Sequence, residues 1–164
     1  MREIEELRDR IDQAHRDFFD ALEGFDDTAR ETQPICGVWS ARDVAGHLAD
    51  WHLEIVEAVR RLRAGEQPKR FIRDIDAYNH DQAALRGIQS WADAAADLHD
   101  AWEKVIDSLE QVDEDEFHRI GPLPWGTVDR IGGFYRRIAR HTRAHADEAQ
   151  SWRMRMLGVR ERDE

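Results

Sequence analysis

Hydrophobic residues recur at helical spacing in four long stretches of the chain. Apolar side chains that lie three, four or seven positions apart form one face of an amphipathic helix. This pattern predicts helices over residues 2–24, 40–63, 91–109 and 127–157. None of these stretches alternates apolar and polar positions, as a half-buried strand would.

The same periodicity predicts a fifth, shorter helix over residues 70–86. The segments 24–37 and 112–126 have no apolar period and are predicted as loops. The expected fold is therefore all-α, a four-helix bundle with a short additional helix, in which facing helices can build a metal or cofactor site. We expect one domain over residues 1–164, with residues 158–164 as a frayed tail.

The start of the second long helix has the clearest local signal. Ser40 can accept hydrogen bonds from free backbone amides, and Asp43 suits the positive end of the helix dipole. Trp39 can pack on Val44 across this cap. The helix is therefore expected to begin at residue 40.

Composition and charge narrow the partners of the chain. Its net charge is −11, so we expect no nucleic-acid partner, because phosphate binding needs clustered positive charge. No apolar run approaches the ~20 residues that span a bilayer, and the N-terminal residues lack a signal-peptide segment. These features predict no membrane partner and a cytoplasmic location, and the single cysteine, Cys36, agrees with a reducing compartment.

The six tryptophans raise the question of an oligomer. The mean hydropathy is −0.76, so large aromatic side chains stand out in a polar chain. We expect aromatic surface around Trp91 or Trp102 to be covered by a second copy. The sequence thus predicts a homodimer.

His141 and His145 are the candidate functional residues of the last long helix. Residues four apart lie one turn from each other on the same face. By the helical wheel, His145 falls inside the apolar stripe and His141 on its flank, so both face the other helices. The alternative is a pair of structural histidines, each bonded to a backbone carbonyl or a carboxylate.

His47 supplies a third inward-facing imidazole, from the flank of the second helix. Three neutral imidazoles can hold zinc, nickel or a related divalent ion and leave one coordination position open. Asp50 and Glu148 each lie three residues beyond a candidate ligand. These carboxylates are therefore expected to hydrogen-bond the ligating rings.

The sequence also predicts the surroundings of three other side chains that could react. His15 is either a core histidine or the lining of a central site. His52 points away from its apolar stripe and is expected to be solvated. Cys36 has no visible activating base, so it is expected to be a half-buried, inert thiol.

Two motifs resemble those of the DinB-like four-helix bundle superfamily. GVWSARDVAGHLADW at residues 37–51 resembles the W-S-x-x-D-x-x-x-H-L-x-x-W signature. HTRAHADE at residues 141–148 is similar to the H-x-x-x-H-A-D-E segment. The tryptophan spacing and DAYN at residues 76–79 favour the ClbS/DfsB branch. Thr142 and Ala144 depart from the H-Y-x-E-H pattern of that branch, so a substrate is not inferred from it.

The resemblance implies that His47, His141 and His145 bind the metal. Relatives include DNA-damage-inducible proteins, transferases and isomerases that use mycothiol or bacillithiol, and a resistance protein that hydrolyses a genotoxin's reactive ring. We therefore expect a metal-dependent thiol S-transferase or hydrolase for detoxification or stress. The divalent ion would activate a low-molecular-weight thiol, less readily water, against a small electrophile. The alternative is a non-catalytic bundle whose metal or ligand stabilises the fold or serves a partner.

The substrate pocket is expected to surround the three histidines. Trp51, Tyr135 or Tyr78 would supply apolar walls, and Asn79 would orient a polar group. No catalytic residue is assigned, because the activated thiol or water would be the nucleophile.

Overall fold

The computed structural model describes residues 2–163, with side chains described for residues 2–158. Within this range the chain forms seven helices and two short antiparallel hairpins. Their bounds are α1 Arg2–Leu22, α2 Asp27–Thr32, β1 Pro34–Cys36, β2 Trp39–Ser40, α3 Ala41–Ala64, α4 Ile75–Arg86, α5 Trp91–Glu110, α6 Glu114–Phe117, β3 Ile120–Pro122, β4 Val128–Arg130 and α7 Ile131–Asp163. The predicted all-α architecture is confirmed.

Four long helices, α1, α3, α5 and α7, form the bundle. Helix α1 packs along α7 and α3 packs along α5, while α3 also contacts α7 and α1 contacts α5. The apolar stripes predicted from the sequence supply the contact faces, as with Leu7, Ile11 and Phe18 of α1, which are 0–3% exposed. Burial of these stripes drives the association of helices that would be marginal alone.

The hydrophobic core divides into two clusters. One contains Phe18 and Leu48, and the other contains Ile11 and Ile55. Three almost fully buried polar residues lie between the two clusters along the bundle axis: His15 on α1, His52 on α3 and Thr142 on α7. The core is therefore interrupted by a polar layer near the middle of the bundle.

His52 belongs to this polar layer, and the expectation that it is solvated was wrong. Its side chain is 1% exposed, because α3 packs against α4, α5 and α7 and so buries more than one stripe. Neither ring nitrogen has a hydrogen-bond partner among the described residues. Burial, followed by the proximity of His141 and His15, lowers the pKa of His52 to about 3.

His15 is a core histidine. It is 4% exposed, and its ring stacks on Trp102 with 4.8 Å between centroids. Its Nε2 lies 3.1 Å from Nδ1 of the exposed His99. Burial, followed by the proximity of His99 and Arg16, lowers the pKa of His15 to about 3, so its ring is neutral near pH 7.

Two segments predicted as loops contain short hairpins. Strand β1 pairs with β2 and β3 with β4, both antiparallel. Strands of two or three residues are too short to show an alternating pattern in the sequence. Strand β4 also moves the start of the last helix from the predicted Thr127 to Ile131.

The other helix boundaries differ in detail from the prediction. Ser40 and Asp43 form the expected capping box at the start of α3. Helix α4 begins at Ile75 rather than residue 70, because Asp74 caps it by accepting from the Ala77 amide. Helix α7 continues past the predicted stop at Gly158 to Asp163, since glycine weakens a helix without ending it.

The tryptophan surface that motivated a homodimer is largely covered within the chain. Trp91 is 8% exposed, and half-buried Trp102 stacks on His15 and donates to Asp12. The homodimer itself stays a prediction. Separately, none of the described helices has both the length and the apolar character needed to cross a bilayer.

The polar layer generates a stability prediction for His52→Leu in the metal-free protein. Below pH ~6.5 the unfolded chain binds a proton at His52 that the folded chain, with a pKa of about 3, does not bind. Acid therefore favours unfolding, and the leucine abolishes this contribution. It also removes two unpartnered nitrogens, whose desolvation costs about 1–3 kcal/mol.

Thermal unfolding at pH 7 and pH 5 measures both effects. We expect a higher Tm for His52→Leu at both values and a larger gain at pH 5. His80→Leu, at an exposed position of α4, serves as the control and should leave the Tm nearly unchanged. A lower Tm for His52→Leu at both pH values would contradict this interpretation.

Candidate metal centre

Three histidine rings meet between α3 and α7. The Nε2 atom of His141 lies 2.9 Å from Nε2 of His47 and 3.2 Å from Nε2 of His145. With bonds of about 2.0–2.1 Å, nitrogens bound to one tetrahedral zinc ion would be roughly 3.3 Å apart. The donor set and its spacing therefore fit a single divalent ion.

Local structure holds each ring at this point. His141 and His145 occupy successive turns of α7, and His47 lies about two turns into α3. The capping box fixes the start of α3, since the Ser40 hydroxyl accepts from the Asp43 amide and the Asp43 carboxylate accepts from the Ser40 amide. The ring of Trp39 then packs on His47 with 4.7 Å between centroids.

Glu148 orients His145. The Nδ1–H of His145 donates to Glu148 Oε2 at 2.8 Å, as expected for a carboxylate behind a ligating ring. In a neutral imidazole this leaves Nε2 unprotonated, facing the other two rings. The expectation for Asp50 was wrong: its carboxylate faces α4 and accepts from Arg86 at 2.7 Å and 3.1 Å.

Burial keeps two of the rings neutral. Desolvation lowers the pKa of His47 to about 2, with the neighbouring histidines adding to the effect. Desolvation, followed by the proximity of His145, lowers the pKa of His141 to about 4. Their lone pairs are therefore available near pH 7, which is the state that binds a metal ion.

Cys36 lies behind this centre. Its sulfur, Glu148 and His145 form a second group of potential ligand atoms within 4.8 Å of one another. However, burial and the adjacent Glu148 carboxylate raise the pKa of the Cys36 thiol to about 11. The half-buried thiol is therefore protonated, which agrees with the expectation that it is inert.

An open cleft of about 480 Å³ lies in front of His47 and His141. Its remaining lining residues combine apolar side chains, one amide and two arginines: Trp51, Ile55, Ile75, Trp125, Asn79, Arg73 and Arg137. Among the described residues, the nearby clusters provide no fourth ligand to the three histidines. The centre thus has an open side that a small molecule can approach.

The predicted pocket residues are partly correct. Trp51 and Asn79 line the cleft, and the Trp51 indole N–H donates to Asn79 Oδ1 at 2.9 Å. Tyr135 does not, because it is fully buried and its hydroxyl bonds Ser108 at 2.6 Å. Tyr78 lines a neighbouring cleft instead.

That neighbouring cleft is polar. It shares His47 and Asn79 with the first and is otherwise lined mainly by hydrogen-bonding side chains, including Arg42, Gln82 and Gln89. Two clefts of different character therefore meet beside the same histidine. Sequence reasoning did not identify this arrangement, since it depends on how α4 docks on α3.

Two arginines of the first cleft were also missed. Arg137 precedes His141 by four residues, so the spacing that linked His141 with His145 also places Arg137 on that face. The sequence thus contained a usable signal for this residue. Arg73 lies in the segment between α3 and α4, where no periodicity indicates its direction.

The sequence of the chain matches one known protein family. The model of the DinB superfamily matches residues 10–149 of the chain. No curated protein matches it significantly.

Several solved structures share the fold. The mycothiol-dependent maleylpyruvate isomerase has a TM-score of 0.77 at 11% identity, over 89% of this chain and 60% of the isomerase. DfsB, described as a sibling lethal factor precursor, has a TM-score of 0.78 at 14% identity, over 93% and 96%. The colibactin self-resistance protein ClbS has a TM-score of 0.75 at 13% identity, over 90% and 93%. The chain spans less than two thirds of the isomerase.

The exclusion of a nucleic-acid partner is contradicted by one of these structures. ClbS was solved in complex with a dsDNA. Net charge describes the whole surface, whereas nucleic acid responds to the local distribution of charge. A net charge of −11 is therefore not a sufficient reason to exclude DNA for a protein of this fold.

The packing of α4 on α3 generates a prediction for Gly46→Ala. An added Cβ would lie 2.7 Å from Cδ and 2.9 Å from Nε of Arg86, which is held by ion pairs to Asp50 and Asp97. The arginine would have to leave Asp50, loosening one wall of the polar cleft. We expect a loss of about 1–3 kcal/mol in unfolding free energy.

Gly158→Ala is the matched control, because an added Cβ there meets nothing within 4 Å. It should stabilise α7 by about 0.5–1 kcal/mol. Denaturant unfolding measures both changes, and hydrogen exchange of α4 should accelerate only in Gly46→Ala. Equal stabilisation by both substitutions would contradict the proposed role of Arg86.

Proposed function

The chain belongs to the DinB superfamily, and on this premise we propose that it is a metal-dependent enzyme for small electrophiles. The reaction proposed is transfer of a low-molecular-weight thiol, with hydrolysis by water as the slower counterpart. The observation that carries the proposal is the convergence of three imidazole nitrogens at one point, where two of the rings, His47 and His141, line an open cleft. A purely structural metal site is normally closed by four protein ligands.

The proposed ligands are His47, His141 and His145, each through Nε2. Three neutral ligands leave the charge of a divalent ion uncompensated. A zinc or nickel ion held there would supply the positive charge that stabilises the anionic form of a thiol or of water. The role of the protein is then to keep His47 and His141 neutral, which burial does, and to orient His145, which Glu148 does.

Two clefts beside His47 support a reaction of two substrates. The polar cleft offers amide and charged groups to a hydrophilic thiol, and the apolar cleft offers Trp51 and Trp125 to an electrophile. Asn79 borders both. Because its carbonyl oxygen already accepts from Trp51, its amide N–H₂ group is the part available to orient a substrate.

The bond changes require no oxidant and no nucleophile from the chain. With an alkyl chloride, a carbon–sulfur bond forms, chloride leaves with its electron pair and the thiol proton passes to solvent. Cys36 remains a spectator, since its pKa of about 11 keeps the thiol protonated.

A non-catalytic role is the second candidate. The observation that favours it is the structure of ClbS, a protein of the same fold, in complex with a dsDNA. In this role the chain would contact a macromolecule. In that case the three histidines would still bind an ion, but the protein would accelerate no reaction. Metal content and turnover therefore test separate parts of the proposal.

Metal content provides the first test. Protein purified without a histidine tag should retain about one divalent ion per chain, and His47→Ala or His145→Ala should lose it. Glu148→Gln should weaken binding about 10–100-fold, because it disturbs a ligand's hydrogen-bond partner. His80→Ala, on the exposed face of α4, should retain the metal. Unchanged metal content in both His47→Ala and His145→Ala would show that these histidines do not bind the metal.

Turnover provides the second test. Metal-loaded protein should accelerate conjugation of monochlorobimane with at least one thiol of a panel that includes mycothiol and bacillithiol. His141→Ala should lose the acceleration, and His80→Ala should keep it. If the wild type is no faster than His141→Ala with any thiol and with water, the non-catalytic role is the better account.

A further inference from the structure

The cleft in front of His47 and His141 is locally positive. Arg73 and Arg137 line it, and its described lining includes no aspartate or glutamate. The chain as a whole carries a net charge of −11. A positive cleft with low-dielectric walls concentrates anions even on an acidic protein.

Arg137 has donor capacity that the protein does not use. Its guanidinium lies 5.4 Å from the centroid of the Trp125 ring and 3.5 Å from Asp129 Oδ2. Its Nε is buried without a hydrogen-bond partner among the described residues. Buried N–H groups normally have an acceptor, so the guanidinium is incompletely satisfied, and its terminal nitrogens are the part that a ligand in the cleft can meet.

Arg73 is the second guanidinium of the cleft. It lies 5.9 Å from the centroid of the Phe71 ring, and the ion pairs of residues 2–158 do not include it. Other arginines nearby are neutralised: Arg70 pairs with Glu54, and Arg86 pairs with two aspartates. Arg73 therefore differs from these arginines, and Arg137 has a single, longer ion pair, to Asp129 at 3.5 Å.

We propose that the cleft binds a small conjugated or aryl carboxylic acid, with its carboxylate held by Arg137 and Arg73 and its flat body against Trp51 and Trp125. The guanidinium fork matches a carboxylate, and the tryptophans match a planar apolar group. This inference rests on the proposed function, for which it names the class of the electrophile.

The spacing along α7 indicates where the reactive atom of such an acid would lie. Arg137 and His141 are neighbours at i and i+4, with Cβ atoms about 5–6 Å apart. A carbon two or three bonds from the carboxylate can therefore reach the open side of the histidines. The β-carbon of an α,β-unsaturated acid satisfies this condition. Thiol addition there forms the carbon–sulfur bond, and the electron pair of the double bond takes a proton at the α-carbon.

Binding can be tested without turnover. Isothermal titration calorimetry would compare trans-cinnamate with its uncharged isostere trans-cinnamamide, using wild type, Arg137→Gln, Arg73→Gln and Arg140→Gln. Arg140 is the matched control, since it lies on the exposed side of the same helix. Repeating the titrations on metal-stripped protein separates binding by arginine from direct ligation to the ion.

We expect wild type to bind cinnamate at least about tenfold more tightly than cinnamamide, with or without metal. Arg137→Gln and Arg73→Gln should each reduce that ratio severalfold, and Arg140→Gln should not change it. Arg73 lies in an exposed segment, so its variant should fold even if Arg137→Gln does not. If these binding results are obtained but the turnover assay shows no thiol conjugation, the carboxylate site stands and only the proposed reaction is wrong.

Three outcomes would overturn the inference. The first is equal affinity for the acid and the amide in wild type. The second is a preference for cinnamate that persists in both cleft variants or disappears with the metal. The third is that wild type does not bind cinnamate but binds a fluorescein-labelled DNA duplex, and that this binding is weakened in Arg73→Gln and Arg137→Gln. This result would show that the two arginines bind nucleic acid.

Discussion

The contact between His47 and His141 is the constraint on which the rest of the site depends. Two protonated rings with nitrogens 2.9 Å apart would repel by about 6 kcal/mol at an effective dielectric constant of ~20. The rings can share this point only if at most one of them is protonated or if they bind a metal ion together. Burial enforces neutrality, since it lowers the pKa of both groups. The same neutrality makes the nitrogens available as ligands.

The environment of the three histidines depends on a helix cap, one carboxylate and the short helix α4 as much as on the four long helices. The Ser40 cap sets the register of α3, and the Glu148 carboxylate sets the ring orientation of His145. Helix α4 docks across α3 at Gly46 through Arg86, which divides the approach to His47 into a polar and an apolar side. The polar layer at His15, His52 and Thr142 lies deeper, between the two hydrophobic clusters.

Much of this was predictable because helical periodicity is a strong signal. The wheels placed His47, His141 and His145 inward, and the two motifs indicated the superfamily. The burial of His52 was missed because a wheel drawn for one stripe cannot represent a helix packed on three neighbours. Tyr135 was placed in the cleft for a related reason: its inward direction was correct, but its level along α7 put it in the core. Arg73 depends on an irregular segment, and no periodic argument reaches it.

The central claim is that three imidazoles and no other protein group hold a divalent ion with one side open. X-ray absorption spectroscopy of the zinc-loaded protein tests this most directly. The account predicts three imidazole nitrogens at about 2.0–2.1 Å and one further light atom that exchanges with added ligand. A sulfur atom at about 2.3 Å, which would implicate Cys36, or fewer than three imidazoles would contradict it.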